Sequence, residues 1–579
     1  MNRKQRRAEL KRAKSTGGAH ATSAAQLREE ALRLQQQGRS ADAVRAYKRL
    51  LAIDPQHAEA NNNLACLLQA QGQQAQASAY FARALRLQPQ LFEQFGPIVA
   101  TLVAVLPPFG GLLRRANEAW PQRLSLAQLA GGELGALAAD PLLCAILQSS
   151  PARDIALERA LTLLRAALLD EAAANTLHDD ALHADALTLC CTLAQQCFIN
   201  EYVFATTAAE EQTVARIKAA LPDIAPAQLA VLAMYEPLHR LPDAQALAAR
   251  QWPADIDALV AQQLREPMQE RALRETIPRL TSIADATSQR VRQMYEENPY
   301  PRWVHAAAAA EAVTVTDYLG GMFPAATLSP LPAGAAHDVL VAGCGTGAHA
   351  IGFAQKFGDT QLLAIDLSLA SLAYAKRQTP PALAPRIDYG QADILALDTL
   401  DRHFDVIDAS GVLHHLADPY RGWRVLLGLL RPGGLMHLGL YSERGRRAIV
   451  EARQFIAARG YRTSASDIRR CRQDLMTTPL KGLAQFNDFF TTSECRDLLF
   501  HVQENRTTIP EIKSFLAAQN LRFIGFEFSE TVSRRIAGFF AQQHWALDDL
   551  DCWHAFETTY PDTFSGMYQF WVQKAPGTN

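Results

Sequence analysis

The sequence predicts a multidomain chain, with an all-α N-terminal half followed by an α/β domain built on an open, largely parallel sheet. Three observations carry this. Residues 23–91 repeat themselves with a period of 34. Residues 92–285 alternate apolar Ala- and Leu-rich stretches with Pro and Asp breaks, and β-branched runs are rare. From Asp338 onward, short apolar runs alternate with helical stretches, and the first run ends in three glycines, DVLVAGCGTG (Asp338–Gly347). Strands alternating with helices are the pattern of βαβ units.

Residues 1–22 form a basic arm (Arg3, Lys4, Arg6, Arg7, Lys11, Arg12, Lys14). It reads as a solvated tail, or as an electrostatic contact for an anionic partner such as RNA or a lipid surface. In the repeat, Ala31, Leu34, Gly38, Ala41, Ala43, Tyr47, Leu51 and Pro55 recur as Ala65, Leu68, Gly72, Ala75, Ala77, Phe81, Leu85 and Pro89. Glycine at the helix–helix turn, small residues where helices touch and proline at the repeat end make this the tetratricopeptide (TPR) pattern. Such arrays bind proteins or peptides, or serve as a scaffold or dimer surface. Two repeats need a cap, so the next helical segment should supply one. Phe95–Leu113 is broken by Pro97, Pro107, Pro108 and Gly110, too short to span a bilayer. It reads as a buried helix and a turn.

Within residues 92–285, Gln196–Phe204 mixes aromatics with Asn200 and Glu201, which suits a helix–helix joint or a groove. Residues 286–333 form a lid or linker. Here Arg290–Glu297 reads as a short helix, and Asn298-Pro299-Tyr300-Pro301-Arg302-Trp303 (NPYPRW) must run extended, because each proline disfavours helix in the residue before it. His305–Val313 reads as an alanine-rich helix.

The α/β domain is placed at 334–579. Val339–Ala342 reads as a doubly buried strand and Ala348–Phe357 as the helix behind the glycine turn. Glycine is needed in that turn because side chains would hold a ligand off the backbone. Strand two, Gln361–Ile365, ends in Asp366, and strand three, Arg386–Tyr389, is followed by Gln391-Ala392-Asp393. Strand four, Phe404–Ala409, leads into Ser410-Gly411-Val412-Leu413-His414-His415-Leu416, and Leu430-Arg431-Pro432-Gly433-Gly434-Leu435 opens strand five. Strand six, Leu521–Phe528, comes some eighty residues later, so residues 442–520 are an insertion at the ligand-binding edge of the sheet. Met567–Val572 is a final antiparallel strand beside it, and Trp545–Phe564 between them reads as helical.

GCGTG, Asp366, QAD, DVIDASGVLHHL and LRPGGL closely resemble, in order and interval, the class I S-adenosylmethionine (SAM)-dependent methyltransferases, which have a seven-stranded Rossmann-like sheet. The TPR repeats, NPYPRW, SECRDLLFHVQE and MYQFW extend the resemblance over nearly the whole chain, to bacterial TPR–methyltransferase fusions. The resemblance implies SAM as cofactor. It puts Gly343, Gly345 and Gly347 against its amino-acid end and ribose, Asp366 on the ribose hydroxyls, Leu367 and Ile394 beside the adenine and Asp393 on the adenine amino group. Ser410, with Gly411 and Val412, lies beneath the methyl donor. Family members usually carry an acid two residues before the first glycine, where this chain has Val341. Tyr295, Tyr300 and Arg302 are the candidates to replace it. His414 and His415 are candidate general bases, since neutral imidazole suits that work near pH 7. Tyr441, Glu494, Arg496, His501 and Glu504 are candidate substrate-binding residues.

The 579 residues carry a formal net charge of −2, which gives no overall pull towards nucleic acid beyond the basic arm. The nine cysteines include no C-x-x-C pair, which argues against a zinc site or disulfide framework and, with no signal peptide or membrane span, for a cytoplasmic protein. The resulting expectation is a methyltransferase whose TPR region recruits a protein or peptide acceptor. The alternatives are a small-molecule or glycan methyltransferase whose helical half forms a homodimer, and a SAM-binding adaptor without turnover.

Overall fold

The structure, a computed structural model, describes residues 24–88, 109–174, 180–221, 223–306, 312–331, 336–528 and 530–576. The basic arm and most of Phe95–Leu113 lie outside them. The chain divides into two units. The first comprises Met1–Phe198, Thr206–Glu236 and Gln251–Leu259, and the second comprises Ile199–Ala205, Pro237–Arg250 and Val260–Asn579.

The first unit is helical. Helices α1 (24–36) and α2 (Ser40–Ile53), then α3 (Ala58–Ala70) and α4 (Gln74–Leu87), form the two repeats. Each pair turns on a glycine with positive φ, Gly38 at +71° and Gly72 at +75°. Four small residues of the pattern, Ala31, Ala43, Ala65 and Ala77, are buried at the helix contacts with Tyr47 and Phe81 beside them, whereas Ala41 is exposed. Helix α5 (Ile155–Ala173) is the centre of the later helical part. Asp154 caps it by accepting from Leu157 N, and apolar residues are buried around most of its circumference. Gln196 supplies the polar joint expected near Phe198. Its amide donates to the carbonyls of Leu147 and Ser150, and its oxygen accepts from Ala152 N.

The second unit reaches further upstream than residue 286, since Val260–Asp285 packs with it. Helix α6 (Ala286–Glu297) begins at Asp285, whose carboxylate accepts from the amides of Thr287 and Ser288. The expected helix over His305–Val313 is not what its described residues form. His305 and Ala306 are not helical, Val313 bridges to Phe357, and α7 starts later, at Val315–Met322, where Thr314 can cap it. Then follow β1 (His337–Ala342), α8 (Ala348–Lys356), β2 (Thr360–Asp366), α9 (Leu369–Gln378), β3 (Ile387–Gln391), β4 (Phe404–Ser410), α10 (Pro419–Leu429) and β5 (Leu430–Leu440). The insertion contributes α11 (Arg447–Arg459), α12 (Thr492–Phe500) and α13 (Ile509–Ala518) before β6 (Leu521–Phe526) and β7 (Tyr568–Lys574). Between the last two strands the chain is helical over Glu530–Gln542 and Leu550–Thr559, with a short 3-10 turn at Pro561–Phe564.

The seven strands lie in the order β3-β2-β1-β4-β5-β7-β6, with β7 antiparallel to both neighbours. Both faces are covered, which is why the strands are apolar almost throughout. One register row breaks that rule. Val341 pairs with Asp408, Asp408 with His437, and His437 with Trp571. Paired residues share a face, so a valine, a carboxylate, an imidazole and an indole stand side by side across β1, β4, β5 and β7.

Candidate functional site

A cavity of about 590 Å³ opens at the C-terminal ends of β1, β2, β4 and β5, the edge where open α/β sheets bind ligands. Its floor is the glycine loop. Gly345 N donates to Asp366 Oδ2 at 2.9 Å, and Ser368 N donates to Oδ1 at 2.9 Å. Burial pushes the Asp366 carboxyl up to about 6, against the pull of those amides. Gly343, Gly345, Asp366, Leu367, Asp393 and Ile394 all line the cavity, as does Ser410. Asp393 also caps the turn after β3 by accepting from Leu395 N at 3.0 Å. Gly347 does not reach the cavity. A Cβ there would lie 2.5 Å from Ala375 Cβ, so this glycine lets α8 pack on α9.

The NPYPRW segment is bonded to the loop. Thr346 N donates to Tyr300 O at 3.2 Å and its hydroxyl to Pro301 O at 2.5 Å. Trp303 Nε1 donates to Thr346 Oγ1 at 3.1 Å. A Cβ on Gly345 would lie 2.5 Å from Tyr300 O, so the loop must be glycine there for the segment to pass. Tyr295 and Tyr300 line the cavity, with ring centroids 6.3 Å apart. Arg302 does not line it. Its guanidinium sits over the Tyr374 ring, 5.1 Å from the centroid, a cation–π placement that holds it away from the cavity.

The two candidate bases separate. His415 lines the cavity. Its Nδ1 lies 3.0 Å from Gln503 O, which only accepts, so Nδ1 carries the hydrogen and Nε2 keeps its lone pair. Burial holds the ring below its ordinary pKa and therefore neutral. His414 is behind the cavity wall, stacked on Tyr441 at 3.7 Å, and burial and His415 push it well down.

Of the predicted substrate residues, Tyr441 faces the cavity and the others do not. His501 is covered by His415, stacked at 3.7 Å, and by the Tyr295 hydroxyl at 3.2 Å. Arg496 donates to Asn298 Oδ1 at 2.9 Å and Glu297 Oε2 at 2.8 Å, tying α12 to the end of α6. Glu504 is buried and paired with Arg446 at 2.7 Å. Glu494 is buried in the first turn of α12, where its amide is capped by Thr491. These four build the wall from behind. The residue of that helix that does face the cavity is Asp497, which accepts from Tyr295 OH at 2.6 Å.

The cavity also has an arm beneath α8 that sequence reasoning missed. Asp408, His437, Trp571, His349 and Glu527 line it. Asp408 Oδ2 lies 2.9 Å from His349 Nε2 and 2.8 Å from His437 Nδ1. The signal was present. Polar residues at 408 and 437 sit in the middle of two central strands, between apolar neighbours.

Residues 339–434 match the family model described as "Methyltransferase domain", and residues 34–104 match one described as "Tetratricopeptide repeat". The chain carries a class I methyltransferase domain behind TPR repeats. It is 30% identical over 191 residues to an uncharacterized protein of Synechococcus sp., covering 30% of this chain and 42% of that one. It is 32% identical over 159 residues to 27-O-demethylrifamycin SV methyltransferase of Amycolatopsis mediterranei, covering 27% of this chain and 55% of that one. The chain therefore spans about half the length of these curated relatives. The solved structure of PKMT2 from Rickettsia typhi aligns with 18% identity and a TM-score of 0.36, covering 45% of this chain and 53% of that one. No helix among the described residues is long and apolar enough to cross a membrane.

Proposed function

We propose that the second unit is a SAM-dependent methyltransferase whose acceptor is a protein or peptide brought by the TPR region. The observation that supports it most is one continuous cavity. Asp366, Asp393 and the glycine loop lie at one end, and His415, Tyr441 and Asp497 lie at the other. The residues suit the cofactor. A carboxylate at the end of β2 can accept from two ribose hydroxyls, and the glycine loop leaves its backbone open to the ligand. SAM supplies a methyl group activated on a sulfonium.

The chain's own task is to orient the acceptor, exclude water and take a proton. His415 is the proton acceptor in this reading. Its side chain lines the cavity, and Gln503 O fixes the tautomer through Nδ1, which leaves the lone pair on Nε2. Asp497 stabilises the imidazolium that forms, 4.0 Å from Nε2. Tyr295 OH holds Asp497 in place. The TPR pair presents two exposed helical hairpins suited to a polypeptide, and proteins and peptides are what such repeats generally bind.

A second reading, a small-molecule or glycan acceptor, draws on the relative that acts on a rifamycin and on the moderate cavity volume. The two are separated by incubating the full chain with radiolabelled SAM and a cell lysate. Label in the protein fraction supports the first reading, and label only in small molecules supports the second. Absence of label, together with no heat on titrating SAM into the protein, would sink both.

A further inference from the structure

We infer that His349, Asp408 and His437 form a binding site for a divalent first-row transition-metal ion of zinc type, with Glu527 orienting His437 from behind. The inference stands apart from the methyl-transfer reading, because none of its residues is needed to hold or deprotonate an acceptor.

The donor set comes first. One ligand atom each from His349, Asp408 and His437 lie within 4.8 Å of one another. Two imidazole nitrogens converge on the same carboxylate oxygen, Asp408 Oδ2, at 2.9 and 2.8 Å. The other oxygen, Oδ1, is occupied by Ser410 N at 3.1 Å, so Oδ2 is the one left to coordinate. Two imidazoles and a carboxylate, with a cavity on the open side, are a donor set for zinc and similar borderline ions. Ligands about 2.1 Å from an ion stand roughly 3.4 Å apart in tetrahedral geometry. The rings would move outward by roughly half an ångström. His349 has room to do so, because its side chain is 50% exposed on the first turn of α8.

The tautomer of His437 supplies the second, independent observation. In its neutral form the ring donates Nδ1–H to Asp408, which leaves Nε2 without a hydrogen. That atom is buried without a hydrogen-bond partner, 3.5 Å from Glu527 Oε2. A lone pair facing a carboxylate is unfavourable, and the arrangement asks for a cation. A metal on Nδ1 resolves it, because the ring hydrogen moves to Nε2 and points at Glu527. This is the carboxylate–histidine–metal relay seen behind many metal ligands. Glu527 is built for that role. It accepts from Tyr318 OH at 2.7 Å and from Trp571 Nε1 at 2.9 Å, which fixes its plane.

Charge agrees. Asp408 and Glu527 bring two negative charges. Lys356, whose ammonium lies 3.3 Å from the Tyr318 ring centroid, offsets one of them. One negative charge is left to attract a cation.

The other trio of this kind, His415, Asp497 and His501, does not meet the same conditions. His501 Nδ1 accepts from Gln503 N at 3.0 Å, so its hydrogen is on Nε2 and its own lone pair is turned away from Asp497. Tyr295 OH already satisfies that carboxylate. Asp497 and His501 are joined through the Tyr295 hydroxyl, and His415 is held by Gln503 O, so no ion is called for.

The test uses the full chain. Chelator-treated protein is titrated with Zn²⁺ by calorimetry and, separately, with Co²⁺, whose visible d–d absorption reports nitrogen and oxygen ligation. Saturable uptake of one ion per chain with a low-symmetry cobalt spectrum is expected. Asp408→Asn should abolish it. Glu527→Gln, which leaves all three ligands in place, should weaken it by about 10- to 100-fold. Circular dichroism checks that each variant is folded, and Glu527→Gln serves if Asp408→Asn is not. Two results would overturn the site. One is a folded wild-type chain that takes up neither ion. The other is metal uptake that Glu527→Gln and His437→Gln leave unchanged.

Discussion

Two buried polar assemblies, one in each unit, look alike in composition and differ in what surrounds them. In the helical unit, Arg165 is 1% exposed and Glu210 is 2% exposed. Glu210 Oε1 accepts from Tyr235 OH at 2.8 Å and lies 3.7 Å from Arg165. Its Oε2 takes Thr207 N and Arg123, both at 2.7 Å. The Arg165 guanidinium also lies 4.3 Å from the Tyr235 ring. Burial raises the Glu210 pKa, but Arg165 and the hydrogen bonds outweigh it and hold it below the usual carboxylate range. In the sheet unit, His415 and Asp497 reach the cavity, and His437 keeps a lone pair with no donor. The first assembly is closed, with each carboxylate oxygen taken by protein. The second is open, with His415 and Asp497 on the cavity and a buried ring nitrogen of His437 left without a hydrogen-bond partner. Closure identifies a structural network, and directed openness identifies a site.

Substitutions can break that contrast, and the largest expected effect is on turnover. His415→Gln should lower the methyl-transfer rate by about 10²- to 10⁴-fold with little change in SAM affinity, read by single-turnover kinetics beside calorimetry. Equal turnover would remove His415 from the chemistry. Arg165→Met removes the buried cation beside Glu210 and Tyr235 while Arg123 remains, and should cost the helical unit about 1–3 kcal/mol in chemical denaturation. SAM binding should be untouched, and if it fell in step, the closed network would not be merely structural.

The pH dependence of Asp366 comes next. Its folded-state carboxyl is raised from 3.8 to about 6, so the folded form holds the proton more tightly than the unfolded form does. Stability from this group is therefore highest below its unfolded value. It declines between 3.8 and about 6 and is flat above. Cofactor binding runs the other way, because the ribose needs the carboxylate, and SAM affinity should fall as pH drops through about 6. A flat affinity across that window would separate Asp366 from the ribose. The smallest effect belongs to Gly38→Ala. With φ at +71° and no atom within 4 Å of a Cβ, the substitution strains only the backbone. It should cost about 1–2 kcal/mol in a thermal melt of the repeat region and nothing in SAM binding.

The elements were legible because their signals are local. The 34-residue period marked four helices, and each apolar run ending in glycine or Asp366 marked a strand. The glycine loop, Asp366, Asp393 and Tyr300 were legible for the same reason. What escaped depends on register and on helix rotation. Nothing in DVIDAS or LMHLGL says that Asp408 and His437 are neighbours until β4 and β5 pair. Within SECRDLLFHVQE, only the rotation of α12 decides that Asp497 faces the cavity while His501 is covered. Arg302 was misplaced because the NPYPRW sequence requires an extended path and leaves open which way each side chain leaves it.

The bonds between Thr346 and Tyr300 and between Arg496 and Glu297 bear on how this domain can be divided or recombined. The matched stretch 339–434 holds the glycine loop, Asp366 and His415, yet the cavity wall draws on residues from Ser288 to Trp571. Transplanting the matched stretch alone would move a sheet edge without its roof or its far wall. Keeping the cavity whole in a transplant would require the upstream tyrosines and the insertion to travel with the strands.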